Sequence, residues 1–174
     1  GTQGKISALK FDAAVSDGSL LLAGRDKPVI VKAANVQAEF ADGTAVVENA
    51  VVDFAGDGEL AMTTKLDLTD QMKLNASVTQ ISTDDFDAAL FAALWPEQAA
   101  PVTRGWIRQN MTSGRIRDAE ITFGTGYDAH TKEQNLHHIN GNFSLRDTTL
   151  GWSEKSPPFT NLSADLAIDN AAFV

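Results

Sequence analysis

The sequence predicts a mainly β fold of the α+β class: a curved, groove-like antiparallel meander sheet with a short helical pair inserted near residues 83–111. Three observations predict it. Apolar residues alternate with polar ones over most of the chain, tight-turn dipeptides separate the alternating runs, and one stretch switches to helical spacing. The 174 residues, 43% of them hydrophobic, are enough for one core.

Alternation with a period of two is clearest from Leu60 to Leu68 and again from Met72 to Val78. Apolar and polar residues then lie on opposite faces, as in a strand with one buried and one wet side. The residues between these runs form a connection of hairpin length. They are Thr69, Asp70 and Gln71.

Three Asp-Gly dipeptides predict tight turns between strands. They are Asp17-Gly18, Asp42-Gly43 and Asp57-Gly58. Glycine tolerates positive φ, and aspartate hydrogen-bonds the neighbouring backbone, so this pair suits the short turns of a meander.

The first helix is expected to start near Thr83. Phe86, Leu90 and Leu94 are spaced four apart and would share one helix face. Three carboxylates crowd the expected start, where the helix dipole favours negative charge. They are Asp84, Asp85 and Asp87.

Proline and glycine predict the remaining helix boundaries. Trp95-Pro96 is expected to end the first helix, because the residue before proline is pushed out of the α region. Pro101 suits the first turn of the second helix. Gly114 is expected to cap the C-terminal end of that helix.

The chain is expected to be one structural unit with three parts. These are an antiparallel β segment over residues 1–82, the helical pair over 83–113, and a continuing β segment over 114–174. The last residues, from Asp169 to Val174, resemble the start of another strand, so we expect a segment of a longer protein.

Composition and motifs exclude several classes of function. With 14 Lys and Arg against 23 Asp and Glu, the net charge of −9 argues against a nucleic-acid surface. The chain has no cysteine, which excludes a disulfide framework and a thiolate nucleophile. No apolar run approaches the roughly 20 residues that span a bilayer. Neither a nucleophile elbow nor a phosphate loop is present, so we predict no enzyme and no cofactor.

The histidines and acidic residues do not predict a metal site. His137 and His138 are adjacent in a predicted strand and are expected on opposite faces, while His130 lies in a polar loop. A structural zinc site needs about four convergent nitrogen or sulfur ligands. The three aspartates near residue 85 lack the glycine and distal glutamate of a calcium loop, so helix capping explains them better.

Four of the 14 cations fall within 14 positions of this acidic chain. They are Arg104, Arg108, Arg115 and Arg117. One interpretation is solvated charge that pairs with the nearby aspartates. The other is a contact for an anionic partner such as a phospholipid headgroup.

The helical segment carries a specific string of residues: Leu94-Trp95-Pro96, Pro101, Arg104, Trp106-Ile107, Asn110 and Gly114-Arg115-Ile116. Two stretches of the later strands accompany it, Gly141–Leu145 and Leu162–Leu166. Over roughly residues 80 to 170 the sequence thereby resembles the AsmA-like family of bacterial envelope proteins, in its YhdP-type branch.

The resemblance implies a periplasmic segment of a protein that is anchored in the inner membrane. Such proteins form long β grooves that carry phospholipids toward the outer membrane and support its integrity. The implied partners are phospholipid acyl chains and neighbouring segments of the same protein. No catalytic residues are implied.

Two interpretations of the apolar strand faces remain. In the first, an open curved sheet exposes an apolar face to acyl chains. The residues expected to contact lipid are Leu60, Met62, Leu66, Leu68, Leu74 and Val78. In the second, the faces close into a β-sandwich that serves as a structural or protein-interaction module of the envelope.

Overall fold

The computed structural model describes residues 8–22, 27–68, 73–95, 101–128, 130, 132–151, 156–169 and 172–173. The predicted connection at Thr69, Asp70 and Gln71 lies outside the described residues, and so do Met72 and Pro96. Asn170, Ala171 and Val174 of the predicted last strand lie outside them as well. The elements are β1 (Ala8–Leu20), β2 (Val29–Ala41), β3 (Thr44–Asp53), β4 (Glu59–Leu68), β5 (Leu74–Asp87), α1 (Ala88–Leu94), α2 (Pro101–Asn110), β6 (Met111–Asp128), β7 (Glu133–Leu150), β8 (Phe159–Asp169) and β9 (Ala172–Phe173).

The described strands form one open antiparallel sheet. Each strand pairs with the next one along the chain, so the order in the sheet is the order in the sequence. The predicted class, a mainly β curved meander with two short helices, is confirmed. The sandwich alternative is wrong for the described strands, because all nine belong to a single sheet.

Two of the three predicted Asp-Gly turns are confirmed. Asp42 and Gly43 join β2 to β3 with φ angles of 49° and 78°, the pair of positive values that a tight hairpin turn requires. Asp57 and Gly58 lie in the connection from β3 to β4. Asp17 and Gly18 do not form a turn, since they lie inside β1, where Ser16 pairs with Ala33 and Gly18 with Val31 of β2.

Left-handed residues inside the strands shift the alternation of faces. Asp118 in β6 has a φ of 50°, and both Arg117 and Asp118 are exposed, whereas Ile116 and Ala119 on either side are buried. Asp and Asn tolerate this conformation better than other side chains. Similar positive φ angles occur in strands at Asp17, Asp147 and Asn161.

The first helix starts later than the sequence predicts. β5 continues to Asp87, because its last residues pair with β6, and α1 begins only at Ala88. Asp87 is the cap, and its side chain accepts a 2.6 Å hydrogen bond from the backbone N–H of Leu90. Asp84 and Asp85 are strand residues, so capping explains only one of the three carboxylates.

The other helix boundaries are confirmed except the last. α1 ends before Trp95, and α2 begins at Pro101. Gly114 is not a helix cap, because α2 ends at Asn110 and Gly114 lies within β6. With φ at 124°, its added Cβ would approach the Cα of Thr148 to 2.6 Å, so glycine permits close contact between β6 and β7.

Four aromatic side chains pack α1 against the sheet. Phe86, at the end of β5, is fully buried and packs edge-on against Phe54, with 5.5 Å between ring centroids. Phe91 of α1 follows at 6.5 Å from Phe86, and Trp95 at 5.7 Å from Phe91. Edge-on aromatic pairs contribute about 0.5–1.5 kcal/mol beyond their burial. The series therefore links the connection after β3, the end of β5 and the first helix.

Gly58 allows the β3–β4 connection to approach Phe86. A Cβ on Gly58 would lie 2.9 Å from the Cα of Phe86, and its φ of 122° suits only glycine. We expect Gly58→Ala to lower the free energy of unfolding by about 1–3 kcal/mol, because strain and steric overlap add together. Urea denaturation measures this loss.

Gly56→Ala is the matched control for that substitution. Gly56 also has a positive φ, 103°, but nothing lies within 4 Å of an added Cβ. Its loss of stability is therefore expected to be smaller, about 1 kcal/mol, from backbone strain alone. Equal losses for the two variants would contradict the close approach at Phe86.

Candidate functional site: an apolar face and cavity

Both helices pack on the same side of the sheet, which we call the inner face. Residues that pair across neighbouring strands share a face, so the strand register identifies its members. The inner face includes Leu9, Phe11, Val15, Val36, Phe40, Val47, Val52, Leu60, Met62, Leu66, Ile81, Ile121, Phe123, Ile139, Phe143 and Leu166. These residues form an apolar surface across β1 to β8, interrupted by four hydroxyl side chains that pair with one another: Thr64 with Thr79 at 2.6 Å and Ser77 with Thr125 at 2.8 Å.

The helices leave part of the inner face accessible. On β1, Leu9, Phe11 and Val15 are 58%, 54% and 56% exposed, although they lie in line with the buried core. Among the described elements, α1 contacts β5 and β6, and α2 contacts β6. The helices therefore lie over the middle of the sheet, and β1 carries no such cover.

Four of the six predicted lipid-contacting residues lie on the same face of one strand. They are Leu60, Met62, Leu66 and Leu68, all half-buried on the inner face of β4. Leu60 also packs against the core and lines a cavity of about 40 Å³ beside Phe91. Contact of these residues with lipid stays a prediction.

A bulge in β5 separates the other two predicted residues. The register shifts by one residue between the Asp67–Ala76 and Leu68–Leu74 pairs, which brings Leu74 onto the inner face beside Leu68. Val78 pairs with Lys65 and lies on the opposite, outer face, 48% exposed. The prediction that Val78 belongs to the same apolar surface is wrong, because alternation along the sequence does not reveal the extra residue of the bulge.

A larger apolar cavity lies between the helices and β6 to β8. Its volume is about 240 Å³, and every described residue that lines it is apolar. The helices contribute Phe91, Trp106 and Ile107, together with Trp95 at the end of α1 and Met111 at the start of β6. The strands contribute Ile116, Phe143, Leu145, Leu150, Leu162, Ala164 and Leu166.

This cavity was not predicted from the sequence. Leu162, Ala164 and Leu166 alternate with polar residues and therefore share one face of β8, but the cavity also requires the position of α2 over the sheet. That position depends on two helices and three strands at once. The one sequence feature that indicates a cavity is the small side chain of Ala164 between two leucines on the same face.

The four predicted arginines do not form one site. Arg104 and Arg108 lie on α2, over the inner face, and Arg104 donates a 2.9 Å hydrogen bond to the carbonyl of Trp95. Arg115 and Arg117 flank the buried Ile116 in β6 and therefore point to the outer face. The sheet separates the two pairs, so a single headgroup site made of all four is wrong.

Arg115 and Arg117 pair with an aspartate, as the alternative interpretation predicted. The Nε of Arg115 donates a 2.8 Å hydrogen bond to Oδ1 of Asp85, and the Nε of Arg117 lies 3.6 Å from the same oxygen. The hydrogen bond from Arg115 lowers the pKa of Asp85, against a smaller opposing effect of desolvation. Asp85 lies in β5 and not on a helix.

The two adjacent histidines lie on one face. A register shift in β7 places His138 opposite Gly124 and Leu136 opposite Thr125, so His137 and His138 both cover the outer face. Their imidazoles occupy the space above Gly124 and Gly126, where an added Cβ would meet them at 2.3 Å. The prediction of opposite faces is wrong because of this bulge. Among the described residues, no three His, Asp or Glu side chains are grouped as metal ligands.

No protein-family model, curated protein or solved structure matches this chain. Within the described part, neither helix has the length and hydropathy that a membrane-spanning helix needs.

The Asp85–Arg115 pair predicts a dependence of stability on pH. A carboxyl whose pKa is lowered in the folded state stabilises the fold above its unfolded pKa of about 3.8, and this contribution disappears as the pH falls through the lower folded pKa. Because the Asp85 side chain is 43% exposed, we expect Asp85→Asn to cost only about 0.5 kcal/mol at neutral pH.

Urea denaturation across the acidic range measures that difference. Asp84→Asn is the control, because it removes the same charge from the neighbouring exposed position of β5. The difference between Asp85→Asn and the parent protein should shrink toward zero as the pH falls below the unfolded pKa and through the lower folded pKa of Asp85. A difference that stays constant from neutral to acidic pH would contradict the ion-pair explanation.

Proposed function

We propose that this chain is a non-enzymatic segment of an AsmA-like, YhdP-type envelope protein that contacts phospholipid acyl chains. It would lie in the periplasm, as part of a protein anchored in the inner membrane, on the route by which phospholipid reaches the outer membrane. Its other partners would be neighbouring segments of the same protein. The observation that carries this proposal is the apolar inner face, which no second sheet of the described chain covers.

Physical chemistry supports hydrocarbon as the occupant of that face. Each methylene that leaves water for an apolar surface contributes about 0.8 kcal/mol. The inner face offers aliphatic and aromatic side chains across successive strands, and the strand backbones are already hydrogen-bonded to one another. A polar occupant would find few partners there, because the hydroxyl groups on this face, those of Thr64, Ser77, Thr79 and Thr125, already pair with one another.

The outer face has a different character. It carries ion pairs and polar pairs between strands, such as Lys10 with Glu39 at 3.2 Å and Arg146 with Asp165 at 2.9 Å. Charged side chains of this kind favour water over hydrocarbon. The asymmetry between the two faces supports a sheet that contacts lipid on one side and the aqueous periplasm on the other.

The test compares apolar-to-aspartate substitutions on the two faces. We expect Leu66→Asp combined with Leu74→Asp to abolish phospholipid binding, because both side chains lie on the inner face and a carboxylate there repels hydrocarbon. Val78→Asp, on the outer face of the same β5 strand, is the matched control and is expected to bind as the parent protein does.

Native mass spectrometry of protein purified from a bacterial host, followed by organic extraction, measures the bound phospholipid. Circular dichroism establishes that each variant is folded. A folded Leu66→Asp, Leu74→Asp protein that retains phospholipid would overturn the assignment of the inner face. Equal losses in this variant and in Val78→Asp would overturn it as well.

A further inference from the structure

Among the residues that the structure describes, none that lines the cavity of about 240 Å³ under α2 is polar, and this restricts what it can hold. An apolar cavity does not offer a water molecule the two to four hydrogen-bonding partners that it needs. Filling with water is therefore unfavourable, and a ligand group that enters must itself be free of polar atoms. The remaining class of occupant is hydrocarbon.

The rim of the cavity is accessible from the β8 side. Leu162, Ala164 and Leu166 on β8 are only half-buried, and Trp106 on α2 is 39% exposed, whereas Ile107, Ile116 and Leu145 deeper inside are buried. A chain can therefore enter between α2 and β8 and end against the buried residues. Such a site has a closed end and an open end.

We propose that this cavity holds the methyl end of one hydrocarbon chain and so measures chain length. This inference rests on the proposed function for its lipid, but it concerns a separate part of the inner face. Because a cavity of about 150 Å³ holds a benzene-sized molecule of six carbons, a volume of 240 Å³ holds roughly eight to ten carbons. The rest of the chain, with its polar end, lies outside.

The proposal predicts a break in a chain-length series. The probes are n-alkyl maltosides from hexyl to tetradecyl, used below their micelle concentrations, whose uncharged sugar stays outside the cavity. We expect affinity to rise about fourfold per methylene until the cavity is full, at roughly eight to ten carbons, and to level off beyond that. Isothermal titration calorimetry measures each dissociation constant.

Two substitutions on β8 separate the cavity from the general surface. Ala164→Phe places a ring in the cavity and is expected to weaken binding of the longer probes more than tenfold. Ala167→Phe is the matched control, because Ala167 pairs with Asn142 on the outer face and is exposed. It should leave every dissociation constant unchanged.

A third variant keeps the proposal testable if the added ring in Ala164→Phe disturbs folding. Leu166→Ala enlarges the cavity, so the break in the series is expected to move to chains that are roughly three carbons longer. A steady rise in affinity with no break, or a break that stays in place in Leu166→Ala, would overturn the proposal.

The outcomes distinguish this inference from the proposed function. Leu66→Asp with Leu74→Asp lies on β4 and β5, outside the cavity lining, and is expected to leave the break unchanged. If that variant loses phospholipid and the affinity series shows no break, the result supports the lipid-contacting inner face and rejects the proposal for the cavity. If the affinity series shows a clear break but the purified protein never carries phospholipid, the result supports the cavity as a hydrocarbon site. It then rejects phospholipid as the source of the hydrocarbon chain.

Discussion

The packing of Phe86 between Phe54 and Phe91 is the contact on which the rest of the arrangement depends. It fixes α1 above the middle of the sheet, with ring centroids 5.5 Å and 6.5 Å apart. That position determines where the helices cover the inner face and where they do not. The accessible apolar surface on β1 and the cavity beside α2 both follow from it. A helix pair placed elsewhere on the sheet would have covered a different part of the apolar surface.

The fold class was predictable because it depends on local pattern. Alternation in Leu60–Leu68 identified β4 and its inner face, and Pro101 identified the start of α2. Face assignments failed where a strand gains a residue or takes a left-handed turn inside the sheet. For this reason Val78 was assigned to the wrong face, and His137 and His138 were assigned to opposite faces although both lie on the outer one. The position of a bulge depends on how a strand pairs with its neighbour. Alternation within one strand carries no information about that pairing.

The candidate site was predictable only in part. The β4 residues were identified because one strand carries them all. The cavity depends on Trp106, Leu145 and Ala164, which come from a helix and two strands and meet only in the folded chain. The arginines show the opposite case, since Arg108 and Arg115 are close in sequence but lie on opposite sides of the sheet. Proximity along the chain did not indicate proximity in space, because α2 and β6 lie in different layers.

The proposed function requires that one face of the sheet, and only that face, contacts acyl chains. Site-specific photocrosslinking in living bacteria tests this requirement. A benzoylphenylalanine placed at Met62 lies on the inner face, and one placed at Thr63, the next residue of β4, lies on the outer face. We expect adducts of phospholipid mass at position 62 and none at position 63. Equal lipid adducts at the two positions, or adducts only with protein at position 62, would contradict the proposed function.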